Sequence, residues 1–348
     1  MTIKVGVVGV GFMGKTHTDI YLKTPHAQLV AFCDQDPKKA AGDWSGGGGN
    51  LGEAKDKAFD PKSLTSHATP EALFADPNVD LVDITLPTYL HAQYVIKALQ
   101  AGKHVLCEKP LSTDLKQAQS VVAAAKKAKG KLMIAQCMRF WPEWVWLKEA
   151  VRSKRYGKVH SAVFRRFAST PTWTWNQWIL NAKLSGSALF DLHIHDTDFI
   201  RYVFGDPTAV FSKGNGGKAT KGGIDHIVTT YLYANKSLLV SAEGGWNADP
   251  SYGFTMRYTV VFDKATVDFD IGRTDKMLQL HETGKKDTEV IKCRASTGWA
   301  DEIAYFVECL SKNVTPKVTT PADAAKSVAL CHAELKSIKT GKPVPFKA

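Results

Sequence analysis

The sequence has few cysteines, and their spacing is not that of a metal site or a disulfide scaffold. Six cysteines occur among 348 residues, without a CxxC pair or the spacing of zinc ligands. This usage is typical of reduced thiols. We therefore expect a cytoplasmic protein that holds no metal.

Long hydrophobic runs are also missing. No apolar stretch approaches the roughly 18 residues that a membrane-spanning helix needs. The apolar residues Val5 to Val10 lead into a glycine-rich turn, where a signal peptide would have a small-residue cleavage site. We expect no membrane partner.

Basic residues exceed acidic ones, giving a formal charge of +11 and a sequence pI of about 9.2. The lysines are spread along the chain, and neither a basic run nor a nucleic-acid-binding motif is present. We expect no nucleic-acid partner, and we expect the positive charge to attract anionic cofactors or substrates. Hydrophobic residues make up 44% of the chain and charged residues 23%, as in soluble globular proteins of one or two domains.

The first third of the chain alternates short apolar runs with helical patterns. Predicted strands and helices follow one another as Ile3–Val8, Gly14–Lys23, Gln28–Cys33, Leu81–Thr85, His91–Ala101, His104–Cys107 and Leu115–Ala128. Parallel strands need crossover connections, so this alternation predicts a doubly wound parallel sheet covered by helices on both faces.

After Lys131 the pattern changes to successive strands with few helices between them. The predicted strands are Val159–Ala168, Ile227–Tyr233, Leu238–Glu243, Phe254–Phe262, Thr266–Ile271 and Met277–His281, followed by helices at Ala300–Ser311 and Ala322–Thr340. We expect an open, antiparallel or mixed sheet. The predicted domains are residues 1–128 and 129–348. Gly46–Gly49 predict a mobile surface insertion, with a phosphate-cradling or lid role as the alternative.

A nucleotide-binding motif follows the first strand. Gly9-Val10-Gly11-Phe12-Met13-Gly14 is a GxGxxG at the start of a helix, and Asp34 stands 20 residues after Gly14, at the end of the second strand. The glycines permit a tight turn, close approach to a pyrophosphate and close helix packing, and the acid suits a ribose diol. The pattern predicts NAD. Lys38 and Lys39, which could reach a 2′-phosphate, leave NADP as the alternative.

Two further segments carry groups suited to catalysis. Glu108-Lys109-Pro110 follows the strand His104–Cys107, which places Lys109 in the crevice where open α/β sheets bind ligands; Pro110 could hold a cis peptide bond there. Asp191, His195 and Asp198 are spaced i, i+4, i+7, so in a helix they would share one face, with His193 pointing elsewhere.

These motifs, together with Asp83 to Thr88, His91 and Gly102 to Leu111, resemble the glucose–fructose oxidoreductase/inositol dehydrogenase/rhizopine catabolism (Gfo/Idh/MocA) family over essentially the whole chain. The resemblance implies an N-terminal Rossmann domain and a C-terminal α/β domain with a large open, mostly antiparallel sheet. It also implies oligomer contacts through that sheet, in a homodimer or homotetramer, and oxidation or reduction of sugars, polyols or their derivatives.

The resemblance also implies residue roles. Lys109 is the catalytic-site lysine beside the nicotinamide, His195 the general acid/base, and Asp191 a carboxylate that binds substrate hydroxyls. An imidazole that titrates near neutrality suits removal of a hydroxyl proton. The other residues to which the family motifs assign contacts are Thr85, Pro87, His91 and Glu108 for the cofactor, and Arg139 and Asp198 for the substrate.

The chain departs from the family pattern at His193, which replaces a frequent glycine and is expected to crowd or decorate the pocket. The pair His193-Ile194-His195 could also indicate a hydrolase-type metal site, although this chain begins with a dinucleotide motif instead of a barrel strand. Trp175 and Trp178, spaced i, i+3 ahead of the Asp/His motif, are candidate sugar-stacking residues; core or interface packing is the alternative.

We therefore predict an NAD(P)-dependent oxidoreductase that moves hydride between nicotinamide and a secondary alcohol carbon of a sugar, polyol or sugar derivative. One alternative uses the same fold for NAD-assisted glycoside hydrolysis by oxidation and elimination. The other is a nucleotide-sensing protein without catalysis.

Overall fold

A computed structural model describes residues 1–45 and 59–347 of the chain. These residues form two compact units, each assembled from separate stretches. The first unit comprises Met1–Cys137, Trp173–Trp178 and Gly298–Val328; the second comprises Met138–Thr172, Ile179–Thr297 and the chain from Ala329 onward. The predicted insertion at Gly46–Gly49 lies outside the described residues. The predicted domain boundary, between residues 128 and 129, stays a prediction.

The first unit contains a six-stranded parallel sheet. Its strands are β1 Ile3–Val8, β2 Ala27–Cys33, β3 Thr65–His67, β4 Leu81–Ile84, β5 His104–Glu108 and β6 Leu132–Ala135. Their order in space is β3-β2-β1-β4-β5-β6. The order reverses between β1 and β4, which is where ligands bind in sheets of this type. Strand β6 extends this sheet beyond residue 128.

Every residue of β4 and β6 is buried, because helices cover both faces of the sheet. The helices of this unit are α1 Phe12–Tyr21, α2 Pro37–Ala40, α3 Pro70–Ala75, α4 Thr88–Gln100 and α5 Leu115–Lys127, joined near the chain's end by α9 Gly298–Ser311. Helix α9 contacts α1, β1 and β6. The predicted doubly wound parallel sheet is confirmed.

The second unit contains a nine-stranded, mostly antiparallel sheet. Its strands are β7 Val159–Ser169, β8 Ala209–Asn215, β9 His226–Leu232, β10 Leu239–Ala248, β11 Phe254–Phe262, β12 Ala265–Asp270, β13 Leu278–Glu282, β14 Glu289–Val290 and β15 Val344–Pro345. The order is β14-β13-β12-β11-β7-β10-β9-β8-β15, and β7 and β10 pair in parallel. The predicted open, largely antiparallel sheet is confirmed.

Helices cover one face of this sheet: α6 Pro142–Ser153, α7 Ala182–Ser185, α8 Ile194–Phe204 and the later part of α10 Pro321–Thr340. Trp144 of α6 is fully buried and packs edge-on against Tyr258 and Phe269. Burial alternates along β9, as expected for a sheet with one covered face. None of the helices in the described part of the chain is long and apolar enough to cross a membrane.

Candidate active site

Four strand ends meet at one edge of the parallel sheet. Val8 pairs with Cys33 on one side and with Ile84 on the other, and Ile84 pairs with Cys107. The residues that follow these four positions therefore emerge together at the carboxyl edge. They begin the segments that carry the predicted site residues Gly9 to Gly14, Asp34, Thr85 to Pro87, and Glu108 to Lys109.

The three glycines of the first turn meet different demands. Gly9 has φ +92°, a left-handed conformation that side chains rarely adopt. A Cβ at Gly14 would lie 2.0 Å from the carbonyl oxygen of Gly9, so only glycine lets the helix approach this closely. A Cβ at Gly11 would meet nothing within 4 Å. The packing of the protein therefore does not require a glycine at position 11. The open space beside Gly11 is what a closely approaching ligand would need.

Helix α1 begins immediately after this turn. Its N-cap is Gly11, which brings no side chain to the first turn, and that turn contains no acidic residue. The amide groups of a helix N-terminus bind anions well. Phe12 and Met13, the first residues of α1, are partly accessible. The open space at Gly11 and the uncapped helix start fit the pyrophosphate of a dinucleotide.

Asp34 connects the end of β2 to the glycine turn. Its Oδ2 accepts a hydrogen bond of 2.8 Å from the amide of Val10, and its Oδ1 accepts one of 2.9 Å from the amide of Asp36. The Lys39 ammonium lies 4.0 Å from Oδ2. Asp34 stays partly accessible. A carboxylate held beside the turn in this way suits a ribose diol.

The loop after β4 supplies Thr85 and Pro87, which are both partly accessible. The Thr85 hydroxyl donates to the carbonyl oxygen of Gly9 at 2.5 Å and so ties this loop to the glycine turn. His91 lies beneath the loop and is buried. Its Nδ1 is 2.7 Å from the Pro110 carbonyl oxygen, and its Nε2 is 2.7 Å from that of Leu86.

Burial lowers the pKa of His91, despite the raising effect of the two carbonyls. A neutral imidazole has one N–H, so the ring donates to one of these two oxygens. The prediction that His91 contacts the cofactor does not fit this arrangement, because the ring is buried beneath the loops and supports them.

Lys109 stands at the end of β5 in an otherwise buried stretch. From Val105 to Ser112 it is the residue that keeps partial exposure. The Lys109–Pro110 peptide bond is cis, as expected. Glu108 is buried, and its Oε2 accepts a hydrogen bond of 3.0 Å from the Lys109 amide. Glu108 therefore supports the turn from inside, and the prediction that it contacts the cofactor does not fit its burial.

The Asp191/His195 motif lies in the second unit. A π-helical turn at Leu189–His193 leads directly into α8. From Ser187 to Arg201, Asp191 and His195 are the two residues that are not buried. Both residues thus keep accessible surface, as a pair of groups acting on a ligand requires. π turns of this kind often occur at functional sites.

Asp198 does not share this accessible face. Asp198 follows His195 by three residues within the regular helix α8, and its side chain is directed at Arg139 in the interior. The Asp198 carboxylate is buried and accepts two hydrogen bonds of 2.8 Å, from Nε and Nη2 of Arg139. Arg139 is 3% exposed and also stacks on Tyr202. The prediction that Arg139 and Asp198 contact substrate does not fit this buried, bidentate pair.

His193 points away from His195, as the helical spacing predicts. It is fully buried, and a Cβ on Gly244 of β10 would lie 2.6 Å from its Nδ1. Its Nε2 lies 3.4 Å from the Tyr231 hydroxyl and 3.7 Å from Glu334 Oε1. The expectation that His193 crowds a substrate pocket is wrong, because this side chain fills space between the π turn and the sheet.

The two candidate tryptophans do not lie on a regular helix. Asn176 and Gln177, between them, adopt left-handed conformations with φ 46° and 48°. Trp175 is 42% exposed, whereas Trp178 packs edge-on against Tyr89 of α4 at 6.4 Å between ring centroids. The exposed indole of Trp175 is the better placed of the two to stack on a ligand.

Sequence reasoning missed a buried cluster beneath the Lys109 turn. His17 of α1 lies 2.8 Å from Asp83 Oδ2 and 3.3 Å from Glu108 Oε1, and Glu302 of α9 lies nearby. The available signals were a charged residue inside the buried strand β4 and a histidine three positions after Gly14, on the helix face that meets the sheet.

The parallel sheet has a glycine turn, an uncapped helix start and an acid suited to a ribose at the point where its strand order reverses. The chain also presents a lysine, a histidine and a carboxylate that could act on a substrate. Together these features define a dinucleotide-dependent oxidoreductase. The model of the GFO/IDH/MocA oxidoreductase family, described as an NAD-binding Rossmann fold, matches residues 3–136. The model of the GFO/IDH/MocA C-terminal domain matches residues 144–268. The chain belongs to the Gfo/Idh/MocA family and is an NAD-binding oxidoreductase.

Individual relatives match over nearly their full length. The chain is 28% identical to myo-inositol 2-dehydrogenase of Thermotoga maritima, with 99% of each chain covered. It is 26% identical to an NAD⁺-dependent scyllo-inositol 2-dehydrogenase of Bacillus subtilis, covering 98% of this chain and 96% of the relative. A levoglucosan dehydrogenase solved with NADH and levoglucosan has the same fold, with a TM-score of 0.85 at 21% identity over all of both chains. These names favour the dehydrogenase prediction over the hydrolase and sensor alternatives.

Proposed function

We propose that this protein is an NAD-dependent dehydrogenase that oxidises a secondary alcohol carbon of a sugar or polyol. The observation that carries the proposal is Lys109, a partly exposed lysine in a buried turn at the carboxyl edge of a dinucleotide-binding sheet. The names of the inositol and levoglucosan dehydrogenases support the substrate class.

The residues at the sheet edge are suited to hold the cofactor. The Gly9 to Gly14 turn, with Phe12 and Met13, and the start of α1 would hold the pyrophosphate; Asp34 would hold the ribose diol, and Thr85 and Pro87 the nicotinamide half. Bound NAD⁺ supplies the hydride acceptor. We propose that NAD is preferred over NADP, because the Asp34 carboxylate repels a 2′-phosphate. Lys39 reduces this repulsion only partly, at 4.0 Å from Oδ2.

We assign the proton chemistry to three side chains. His195 accepts the substrate hydroxyl proton on an imidazole nitrogen as the hydride leaves carbon. The Lys109 ammonium stabilises the negative charge that develops on that oxygen. Asp191 accepts hydrogen bonds from hydroxyls of the substrate. A polyhydroxylated ring also offers an apolar face, on which the exposed indole of Trp175 can stack.

We further propose that the protein is a homodimer or homotetramer that associates through the sheet of the second unit. Val163, Val228 and Leu239, on three neighbouring strands, are 51%, 47% and 65% exposed. Apolar residues in such a group are typical of an interface. All six cysteines are free thiols, which supports a reducing, cytoplasmic location. Light scattering of the purified protein would measure the oligomer.

Turnover assays test the main proposal. Purified protein is given NAD or NADP with myo-inositol, scyllo-inositol, levoglucosan, hexoses or simple glycosides, and the absorbance of reduced nicotinamide is followed. Lys109→Ala should lower kcat by about 10²–10⁴-fold while the Kd for NAD changes little. Lys97→Ala, at an exposed lysine of α4 paired with Glu71, is the control and should behave like the wild type.

Several results would count against this function. Full activity in Lys109→Ala would remove Lys109 from the chemistry. Glycoside cleavage without net reduction of NAD would favour the hydrolase alternative. NAD binding without turnover of any compound would favour the sensor.

A further inference from the structure

The buried cluster behind the Lys109 turn connects three structural elements of the first unit. His17 of α1 lies between two acids: its Nδ1 is hydrogen-bonded to Asp83 Oδ2 on β4 at 2.8 Å, and its Nε2 lies within ion-pair distance of Glu108 Oε1 on β5, at 3.3 Å, without the alignment of a hydrogen bond. All three residues are buried, with His17 and Asp83 at 0% exposure. Ionisable groups this deep must pair or lose their charge.

The protonation states follow from these contacts. Burial opposes the charge of His17, but Asp83 and Glu108 outweigh burial and raise its pKa well above the usual value. Burial likewise opposes ionisation of Glu108, yet His17 and Lys109 hold its pKa below the usual value. Both shifts favour a charged pair of the His17 imidazolium and the Glu108 carboxylate.

Glu302 of α9 completes the cluster in a different state. It is fully buried, and neither of its carboxyl oxygens has a hydrogen-bond partner among the described residues. Burial, reinforced by the charge of Glu108, raises its pKa well above the usual value and so favours the neutral acid. The remaining titratable groups that face the cluster are the Tyr21 hydroxyl beside Asp83, and His91, Lys109 and Cys107 around Glu108.

Glu108 also connects this cluster to the proposed catalytic lysine. One of its carboxylate oxygens faces His17, and the other accepts the 3.0 Å hydrogen bond from the Lys109 amide. His17 thus fixes the Glu108 carboxylate, and Glu108 fixes the backbone from which the Lys109 side chain extends. On the far side of the same turn, His91 contacts the Pro110 carbonyl oxygen.

We propose that His17, Asp83 and Glu108 form a positioning network that holds the backbone of Lys109 in its reactive place. This proposal rests on the function proposed above, because the network matters for activity only if Lys109 takes part in the reaction. His17 lies one helical turn beyond Gly14, on the helix whose N-terminus faces the proposed pyrophosphate site. The same short helix therefore serves both cofactor binding and the placement of the proposed catalytic lysine.

The geometry also resembles that of a metal site. His17, Glu108 and Glu302 each bring one potential ligand atom within 4.8 Å of the other two. We assign these groups to the positioning network instead, in which Nδ1 of His17 pairs with Asp83 and Nε2 faces Glu108. This assignment predicts that the purified protein carries no stoichiometric metal. One equivalent of zinc per chain that is lost in His17→Gln would overturn the assignment.

A double-mutant cycle tests whether His17 acts through Lys109. His17→Gln should lower kcat by about 10–100-fold, the range typical of partners that orient a functional group, with the Kd for NAD within about threefold of the wild type. In a Lys109→Ala background the same change should cost less than about twofold. His67→Gln is the matched control, since His67 pairs with Asp76 at 3.0 Å in the same unit. It should leave kcat unchanged.

Hydrogen exchange provides a readout that does not depend on turnover. In His17→Gln the amide of Lys109 should exchange at least about tenfold faster, because its acceptor is no longer held, while β1 and β4 keep their protection. Glu108→Gln keeps an acceptor oxygen and should retain more protection than Glu108→Ala. These two variants serve if His17→Gln does not fold.

The outcomes separate the two proposals. The network would be overturned if His17→Gln lowered kcat equally in the wild-type and Lys109→Ala backgrounds. It would also be overturned if His17→Gln weakened NAD binding by the same factor as it lowered kcat. Unchanged exchange at Lys109 in both His17→Gln and Glu108→Ala would do the same. Faster exchange at Lys109 in a protein that turns over no sugar or polyol would support the network and count against the proposed function.

Discussion

Gly11 and Gly14 offer a direct test of the proposed pyrophosphate site, because the two glycines exist for different reasons. At Gly14 a Cβ would lie 2.0 Å from the Gly9 carbonyl oxygen, deep inside van der Waals contact. At Gly11 a Cβ would meet nothing within 4 Å, and the backbone φ of −73° suits alanine. We expect Gly14→Ala to damage the fold and Gly11→Ala to damage NAD binding.

The magnitudes follow from these contacts. Gly14→Ala forces α1 away from β1, and overpacking of this kind costs roughly 1–3 kcal/mol or more, which lowers the melting temperature by roughly 2–4 °C for each kcal/mol. Gly11→Ala should change the stability of the ligand-free protein by less than about 1 kcal/mol. Its added methyl group stands where the pyrophosphate must approach, so we expect NAD affinity to fall at least about tenfold, or about 1.4 kcal/mol.

Calorimetric unfolding with and without NAD measures both effects. At a concentration 100 times the wild-type Kd, NAD should stabilise the wild type by about 2.7 kcal/mol and Gly11→Ala by only about 1.4 kcal/mol. Isothermal titration provides the Kd directly. Wild-type NAD affinity in Gly11→Ala would refute the proposed pyrophosphate site. A ligand-free Gly11→Ala protein that melts as early as Gly14→Ala would refute the packing argument.

Three further predictions follow from the site. Asp34→Asn keeps an acceptor for the Val10 amide but removes the charge, so the ratio of the NADP and NAD dissociation constants should fall by about tenfold, measured by titration calorimetry. Arg139→Ala leaves the buried Asp198 without its bidentate partner and should lower the free energy of unfolding by about 3–5 kcal/mol in denaturant titrations. Folding raises the pKa of His17, so its contribution to stability is complete below the unfolded pKa near 6.5 and is lost as the pH rises through the folded pKa. The free energy of unfolding of the wild type should therefore fall above about pH 6.5. His17→Gln should reduce the slope of this fall by up to about 1.4 kcal/mol per pH unit.

Each of these predictions has a result that contradicts it. Unchanged cofactor discrimination in Asp34→Asn would mean that its charge does not select NAD. An Arg139→Ala protein as stable as the wild type would show that Asp198 finds other partners, and the double variant Arg139→Met/Asp198→Leu, which leaves no lone charge, should be the more stable of the two. A slope above pH 6.5 that persists in His17→Gln would assign the fall in stability to another group.

Elements with strong local patterns could be predicted from the sequence. The apolar run Ile3–Val8 forms a strand with the predicted bounds. Strands β7 and β11 are also predictable, because apolar and polar residues alternate along much of their length. Strand β3 could not be predicted, since its three residues Thr65–His67 are polar and owe their conformation to pairing with β2. Such pairing over a long sequence distance has no local signal.

The same distinction applies to the candidate site. The glycine turn and Asp34 are predictable because one short segment specifies them, and Asp191 and His195 are the two residues from Ser187 to Arg201 that keep accessible surface. The buried bridge between Arg139 and Asp198 was not foreseen, because residues 59 positions apart become neighbours only through tertiary folding. The direction of His193, away from His195, follows from the helical spacing, but its complete burial against Gly244 of β10 depends on tertiary packing that has no local signal.

Glu302 has a consequence for how the protein is made. The first unit needs Gly298–Val328, and α9 contacts α1, β1 and β6. During synthesis, α1 leaves the ribosome long before the helix that covers it, so the ionisable cluster around His17 stays open to water until α9 has been made. An isolated fragment ending at Cys137 would expose the same surface permanently. We expect the nucleotide-binding unit to reach its native state only once α9 has been synthesised, as a late step of folding.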